Sequence, residues 1–312
     1  MSRKVILVTG GTGLVGKALH SIMEDYPNYV FVFLSSLECD LTEYDEILNC
    51  FNKYEPEYVI HLAANVGGLY KNLNKKVEMF EQNILMNFNV VKACHMFNVK
   101  KCIFALSTCV FPDKVEYPIN EKNLHEGPPH SSNEGYAYAK RMLEVHCRMY
   151  NEQFGTNYVC IIPTNIYGPN DNFSLEDGHV IPSLIHKCYL AKKSNQPFQI
   201  KGSGKALRQF VYSEDLAKLI MIVLETYEKK DSIILSVDEK DEITIKEAAE
   251  EIADCFNYHN IEFLTNFSEG QYKKTADNTK MKEFTNFSFT PIKEGLKTTV
   301  EWFINNYETC RR

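Results

Sequence analysis

The chain has 312 residues, of which 44% are hydrophobic and 24% are charged, and its formal net charge is -7. This length and composition are typical of a globular protein with one large domain, or with one domain and a smaller lobe. The negative charge disfavours a nucleic acid or an anionic membrane as the main partner, and no apolar run is long enough to span a bilayer.

Cysteine usage and the first residues of the chain give two further expectations. The ten cysteines are scattered, with no Cys-x-x-Cys pair and no Cys/His cluster at zinc spacing. We therefore expect neither a disulfide framework nor a metal site. The chain starts without the apolar segment and cleavage site of a signal peptide, so we expect a cytoplasmic protein.

The first predicted element is a short buried strand at residues 5–8, followed by a glycine-rich turn and a helix through Ile22. Glycines let the backbone turn tightly and approach a pyrophosphate, whose negative charge is stabilised by the helix N-terminus. The order of strand, turn and helix therefore predicts a dinucleotide site. Its candidate binding residues are Gly10, Gly11, Thr12, Gly13, Leu14, Val15 and Gly16.

The second predicted strand, Tyr29–Leu34, ends at Ser35 and Ser36. An acidic residue is expected near this point when a site binds the ribose 2′-hydroxyl of NAD. None stands at the strand end, which removes a repulsion against a 2′-phosphate. The pattern therefore favours NADP(H) as the cofactor.

Further strands and helices alternate along the first half of the chain. A helix to Tyr54, a strand at 58–62, a helix at 77–97, a strand at 102–107 and a strand at 158–162 predict a parallel sheet with right-handed crossovers. We predict a Rossmann-type, doubly wound α/β fold for residues 1–169. The alternation dissolves near residue 170, so residues 170–312 are predicted to form a smaller C-terminal α/β substrate-binding lobe, interleaved with the first part.

Tyr136 and Lys140 lie four residues apart in a stretch whose alanines and apolar spacing predict a helix, so both side chains leave one face. A phenol normally holds its proton until about pH 10, and a neighbouring ammonium favours the phenolate. The pair would then make a good acid near neutrality. Such a pair is by itself more often a surface feature, but Ser107 and the glycine-rich turn favour a functional site.

Together these motifs resemble the extended short-chain dehydrogenase/reductase family. The resemblance extends over essentially the whole chain and is most specific to GDP-L-fucose synthases within that family, with Cys109 and His179 as its most specific residues. The matching stretches are residues 107–112, 127–130, 135–141, 163–169 and 178–180. The chain departs from bacterial members, which carry Trp where Lys201 stands and Arg where Thr12 stands.

The resemblance implies a reaction in which bound NADPH faces a GDP-linked 4-keto-6-deoxy sugar. C3 and C5 of the sugar are epimerised, and its C4 ketone is then reduced to give GDP-L-fucose. It implies that Tyr136 donates a proton to the C4 oxygen, that Lys140 tunes Tyr136 and binds the nicotinamide ribose, and that Ser107 hydrogen-bonds the same oxygen. Cys109 and His179 would be the base and acid of the epimerisations, in an order that the sequence leaves open.

The remaining binding residues are also implied by the resemblance. The expected cofactor contacts beyond the turn and Lys140 are Asp40, Leu41, Ala63, Pro163, Thr164, Asn165, Ile166 and His179. The expected contacts to the GDP-sugar are Lys187, Lys201, Arg208 and Lys274, because cations bind phosphates well. Arg208 is the firmest of these, since solvated surface lysines are a real alternative for Lys187 and Lys274.

Two other functions compete with this interpretation. One is another sugar-nucleotide epimerase or dehydratase of the same superfamily, but a dehydratase typically carries an Asp-Glu pair where this chain has Cys109-Val110. The other is a non-catalytic NADP-binding regulator, which usually loses the Tyr or the Lys. We also expect a homodimer, because the helices at 77–97 and 135–154 carry more apolar positions than one sheet face absorbs, and such helices pair across a two-fold axis in this family.

Overall fold

The structure, a computed structural model, describes residues 3–267 and 271–312, with the backbone alone for residues 69 and 70. The sequence also predicts a loop at residues 269–278, and this loop begins outside the described residues. Twelve strands are present in the described part of the chain: β1 Lys4–Thr9, β2 Tyr29–Leu34, β3 Tyr58–His61, β4 Lys101–Ala105, β5 Tyr158–Pro163, β6 Asn165–Tyr167, β7 Phe198–Lys201, β8 Leu207–Arg208, β9 Phe210–Tyr212, β10 Ile233–Leu235, β11 Ile243–Thr244 and β12 Ile261–Leu264.

The helices of the same residues surround these strands. They are α1 Leu14–Ile22, α2 Tyr44–Tyr54, α3 Leu69–Asn74, α4 Lys76–Met96, α5 Glu134–Phe154, α6 Val180–Ser194, α7 Ser213–Thr226, α8 Ile245–Phe256, α9 Thr279–Lys282 and α10 Ile292–Asn305. None of them is both long enough and apolar enough to cross a bilayer.

Six parallel strands form the central sheet in the order β10-β5-β4-β3-β1-β2. In β1, Leu7 lies between Val32 of β2 and Val59 of β3. Side chains alternate along a strand, so Leu7 packs into the core beneath α2, α4 and α5, whereas its neighbours Ile6 and Val8 pack beneath α1 and α7. Helices therefore cover both faces, which is why the strands are continuous apolar runs. The predicted doubly wound sheet is confirmed.

A third core lies in the C-terminal half of the chain. It is built from α6, α8 and α10 with β7, and it is separate from the two cores of the sheet. Three two-stranded sheets, β7–β12, β8–β11 and β6–β9, also lie in this half of the chain. However, α7 and β10 also come from beyond residue 170 and belong to the central sheet. The exact division of the chain stays a prediction, with its two parts interleaved.

Most elements of the first half lie within a few residues of their predicted positions. The strand Tyr29–Leu34 has the predicted bounds, and the helix expected at 77–97 is Lys76–Met96. The edge strand β10 and the helix α8 were not predicted. For α8 a signal existed, because Thr244 and Glu247 form a capping box at its start.

Candidate functional site

The glycine-rich turn between β1 and α1 brings backbone against backbone. Gly10 has a positive φ of 69°, and a Cβ there would lie 2.7 Å from the amide nitrogen of Ala63. A Cβ on Gly16 would lie 2.5 Å from the carbonyl oxygen of Gly10. Any side chain at either position would push the turn apart. The turn therefore requires glycine, as the sequence predicted.

The N-terminus of α1 is open towards a ligand. Its N-cap residue Gly13 has no side chain to accept a hydrogen bond, and the first turn contains no acidic residue. The first amide groups of a helix lack intrahelical acceptors and carry partial positive charge. A pyrophosphate bound between Gly10 and Gly13 would satisfy both requirements, so these residues fit a dinucleotide.

A carboxylate lies at the end of β2 after all. The backbone amide and the hydroxyl of Ser35 both donate to Oε2 of Glu38 at 2.8 Å. These bonds hold the pKa of Glu38 below its usual value. The interpretation that no acidic group stands at this strand end was wrong, because Glu38 follows three residues later and folds back onto Ser35.

The other predicted cofactor residues lie along the same edge of the sheet. The Asp40 carboxylate accepts from the amide and hydroxyl of Thr42, and Leu41 beside it is buried. The amide of Ala63 donates to Oγ1 of Thr9 at 3.4 Å. Pro163 ends β5, Thr164 is hydrogen-bonded to Ser236, and Asn165 and Ile166 begin β6. These residues lie at or after the carboxyl ends of parallel strands, where ligands of such sheets bind.

Helix α5 brings Tyr136 and Lys140 to the end of β4. Gly135 allows the helix to start against α4, because a Cβ there would lie 2.3 Å from the carbonyl oxygen of Lys76. The Lys140 ammonium lies 5.8 Å from the centroid of the Tyr136 ring and donates to the carbonyl of Ala105 at 2.8 Å. Lys140 is therefore fixed between the phenol and β4, with only 1% of its surface exposed.

Burial dominates the titration of this pair. It lowers the pKa of Lys140 to about 8, with the Cys109 thiol acting in the opposite direction. It raises the pKa of Tyr136, and Cys109 raises it further. The expected lowering of the phenol pKa by the ammonium was wrong for the free protein, since desolvation outweighs it. Tyr136 is thus a fully protonated donor at neutral pH.

Ser107 and Cys109 lie in a short turn directly after β4. Ser107 caps a 3-10 turn, Thr108–Val110, and its hydroxyl accepts from the amide of Cys109 at 3.5 Å. Burial raises the pKa of the Cys109 thiol, while Ser107, Lys274 and Lys140 act to lower it. The thiol is therefore protonated in the free protein but has two cations nearby that stabilise a thiolate.

A small cavity joins Cys109 to the C-terminal half. Its lining includes Cys109, Tyr117, His130, Gln271 and Lys274. A larger cavity lies between the second half of α5 and β5 and is lined by none of the predicted site residues. Of the two, the smaller one is the candidate site, because it contains the predicted Cys109 and Lys274.

The predicted phosphate-binding cations form two groups. Arg208 donates to the carbonyls of Leu207 and Gln271 at 2.6 and 2.8 Å. Burial lowers the pKa of Lys274, and the charge of Arg208 lowers it further. The second group is Lys187 and Lys201. Burial lowers the pKa of Lys187, and the charge of Lys201 lowers it further. Like charges held together in this way suit a polyanionic ligand.

His179 lies at the N-cap of α6, the helix that carries Lys187. Its side chain makes no capping hydrogen bond, and the residue is exposed. The surrounding protein nevertheless lowers the imidazole pKa by desolvation. His179 is therefore neutral at pH 7 and able to accept a proton.

Buried polar residues behind the site were missed from the sequence. His61 is bonded to Thr9 Oγ1 at 2.7 Å and to Asn87 Oδ1 at 3.0 Å, and burial lowers its pKa to about 3. Arg141 follows Lys140 on α5 and is also buried. A polar residue inside an otherwise apolar strand, such as His61 after residues 58–60, is the signal that could have identified the first of these.

Three comparisons place these features among known proteins. Residues 6–237 match the model of the NAD dependent epimerase/dehydratase family. GDP-L-fucose synthase of Dictyostelium discoideum is 52% identical, over 100% of this chain and 98% of that protein. A crystal structure of a GDP-L-fucose synthetase from Naegleria fowleri bound to NADP has a TM-score of 0.96 and 48% identity, over 100% of this chain and 96% of that one.

The burial of Lys140 should lower the free energy of unfolding of the protein. Its folded pKa of about 8 lies below the usual 10.5, so the charged form is disfavoured on folding at all pH values below about 8. Lys140→Met should therefore raise the free energy of unfolding at pH 7 by about 1–3 kcal/mol, after the lost bond to Ala105 is counted. The measurement is denaturant unfolding at pH 7 and pH 10.

The pH dependence provides the control. Between pH 8 and 10.5 the unfolded wild type binds more protons than the folded one, so its stability from this group rises with pH. The advantage of Lys140→Met should therefore shrink over that interval. A variant that is less stable than wild type at pH 7 would contradict the pKa assignment.

Proposed function

Because the chain belongs to the NAD-dependent epimerase/dehydratase family, we propose that it converts GDP-4-dehydro-6-deoxy-D-mannose to GDP-L-fucose by 3,5-epimerisation and 4-keto reduction with NADPH. The observation that carries this proposal is the placement of Ser107, Cys109, Tyr136 and Lys140 around the end of β4, with Lys274 beside Cys109. The full-length similarity to GDP-L-fucose synthases supports it.

The glycine-rich turn and the N-terminus of α1 would hold the pyrophosphate of NADP(H), and Lys140 its nicotinamide ribose. When bound, NADPH supplies the hydride that reduces the C4 ketone. Ser107 and Tyr136 bind the C4 oxygen, on which negative charge develops during both enolisation and reduction. Such donors are each worth roughly 3 kcal/mol where they have been removed. Tyr136, protonated in the free protein, then gives its proton to that oxygen.

Cys109 and His179 serve the epimerisations. Inversion at a carbon requires proton removal on one face and proton delivery on the other. Cys109 supplies one of the two groups that this requires, and His179 supplies the other. Lys187, Lys201, Arg208 and Lys274 bind the GDP phosphates as the two cationic groups described above. A dehydratase is disfavoured, since Cys109-Val110 provides no acidic pair.

Mutation separates the two halves of this chemistry. Cys109→Ala should reduce deuterium incorporation from solvent at C3 and C5 by about 10²–10⁴-fold, because it removes a general acid–base group. Tyr136→Phe should suppress both this exchange and NADPH consumption, since the phenol serves every step. Mass spectrometry of the sugar and the absorbance of NADPH are the measurements.

Cys255→Ala, at an exposed thiol on α8, is the matched control and should behave as wild type. Exchange at both carbons by Cys109→Ala at the wild-type rate would show that Cys109 is a packing residue. Water loss without NADPH consumption by the unaltered protein would instead indicate a dehydratase, and no reaction would indicate a regulator.

Cofactor choice depends on the end of β2. NADPH should be preferred to NADH, and Ser36→Asp should lower that preference by about tenfold, equivalent to about 1.4 kcal/mol, by repulsion of the 2′-phosphate. Glu38→Gln should increase the preference, because it removes the carboxylate tied to Ser35. The measurement is kcat/KM for both cofactors. Equal values in the unaltered protein would exclude this account.

We further propose a homodimer built on α4 and α5. These packed helices expose large apolar side chains, which are Val77, Phe80, Leu85, Phe88, Met96, Met142, Met149 and Phe154. A two-fold axis would bury both sets in an isologous four-helix interface. A cytoplasmic location stays a prediction.

The dimer prediction is tested by one charge. Phe88, half exposed and stacked on His146 at 5.1 Å, lies in this apolar set. Phe88→Glu should convert the protein to a monomer at micromolar concentration, because it buries an unpaired charge in the interface. Ile304→Glu, at an exposed apolar position of α10, should not. Sedimentation velocity is the measurement, and a monomeric wild type would rule the dimer out.

A further inference from the structure

Arg141 is a buried cation next to the catalytic Lys140 on α5. Only 5% of the residue is exposed. Its Nε donates to the carbonyl of Val110 at 2.5 Å, and its Nη1 donates to the carbonyl of Gly127 at 2.6 Å. The guanidinium also lies 5.6 Å from the centroid of the Tyr138 ring. Two short charge-assisted bonds thus connect one side chain of α5 to two separate segments.

This arrangement is costly for packing alone. No carboxylate among the described residues pairs with Arg141, and its Nη2 is buried without a hydrogen-bond partner there. A desolvated charge without an ion-pair partner destabilises a fold, and an apolar side chain of similar size is often neutral or better. The feature is therefore better explained by what the guanidinium holds in place.

The first segment it holds contains Cys109. Val110 ends the 3-10 turn Thr108–Val110, so the bond to its carbonyl fixes the residue directly after Cys109. The second segment, at Gly127, lies beside the residues that directly follow this turn. There the amide of Asp113 donates to the carbonyl of Pro128 at 3.0 Å, and Pro112 bridges to Pro129.

The reduction residues have supports of their own. Lys140 is bonded to Ala105 of β4, and Tyr136 lies on α5 itself. Ser107 follows β4 within two residues. Loss of Arg141 would leave these three positions supported. Among the described residues, however, the bond from Arg141 is the only side-chain hydrogen bond between α5 and the turn Thr108–Val110, and it would be lost.

We propose that Arg141 is a positioning residue that sets the Cys109 thiol against the sugar ring, and so serves epimerisation rather than hydride transfer. This inference rests on the proposed function. The electrostatics agree with it, because Tyr138 and Cys109 are the groups that act to raise the Arg141 pKa against its burial. The planar guanidinium fixes the angle between its two donors, whereas the donors of an ammonium rotate, so Lys should replace Arg141 only in part.

The experiment measures the two half-reactions separately. Epimerisation is followed as deuterium incorporation at C3 and C5 of the keto sugar in D₂O with NADP⁺ bound, when no hydride is available. Hydride transfer is followed as oxidation of GDP-L-fucose by NADP⁺, which needs no epimerisation. Arg141→Met and Arg141→Lys are compared with wild type in both.

Lys101→Met is the matched control. Lys101 is also 5% exposed, and its ammonium also donates to two backbone carbonyls, those of Val223 and Tyr227, at 2.7 and 2.6 Å. It starts β4 at the end opposite Ser107. Any effect of merely losing a buried cation and two hydrogen bonds should therefore be present in Lys101→Met as well.

Arg141→Met should slow exchange roughly tenfold to a hundredfold, because displacement of a catalytic group by about 1 Å costs up to about a hundredfold in rate. Oxidation of GDP-L-fucose should fall no more than in Lys101→Met. Arg141→Lys should restore part of the exchange, and it carries the test alone if Arg141→Met does not fold. Equal losses in both half-reactions, or the same selective loss in Lys101→Met, would overturn the proposal. A wild type that performs neither reaction would instead overturn the proposed function, and this inference with it.

Discussion

Two adjacent buried cations on α5 determine the geometry of the site. Lys140 donates to the carbonyl of Ala105, and Arg141 donates to those of Val110 and Gly127. Carbonyls at the end of β4 and in the following loop therefore take the place of carboxylate partners. Because the acceptors are backbone carbonyls, these hydrogen bonds hold α5, the end of β4 and the following loop in fixed relative positions. A carboxylate side chain would have paired with the charges without fixing any backbone.

How much of this could be predicted differs between the two halves of the chain. Four of the first five strands, β1, β3, β4 and β5, are largely buried, so their apolar runs are unambiguous, and the alternation with helices fixes the topology. Beyond residue 170 the strands are two to four residues long, and all of them except β10 belong to two-stranded sheets. Such strands carry almost no periodicity. The edge strand β10 was missed for that reason, although Ile233, Ile234 and Leu235 are all fully buried.

The site shows the same limit at the level of side chains. The residue types at Ser107, Tyr136 and Lys140 and the spacing of the last two were sufficient to predict that they lie near one another, because a helix and a strand end place them by local geometry. Contacts over long sequence separations were not accessible in this way. Lys274, for example, acts on the pKa of Cys109 across 165 residues of sequence. The direction of the Tyr136 pKa was also wrong, since its burial depends on the whole fold rather than on Lys140 alone.

The cations around Cys109 explain how a thiol with a raised pKa suits proton transfer. Lys140 and Lys274 act to lower that pKa, while burial raises it. Arg208 in turn disfavours the charge on Lys274. A bound diphosphate would reduce the repulsion between Arg208 and Lys274 and keep Lys274 charged. Lys274, a predicted phosphate ligand, therefore also acts on the thiol that we propose moves the sugar's protons.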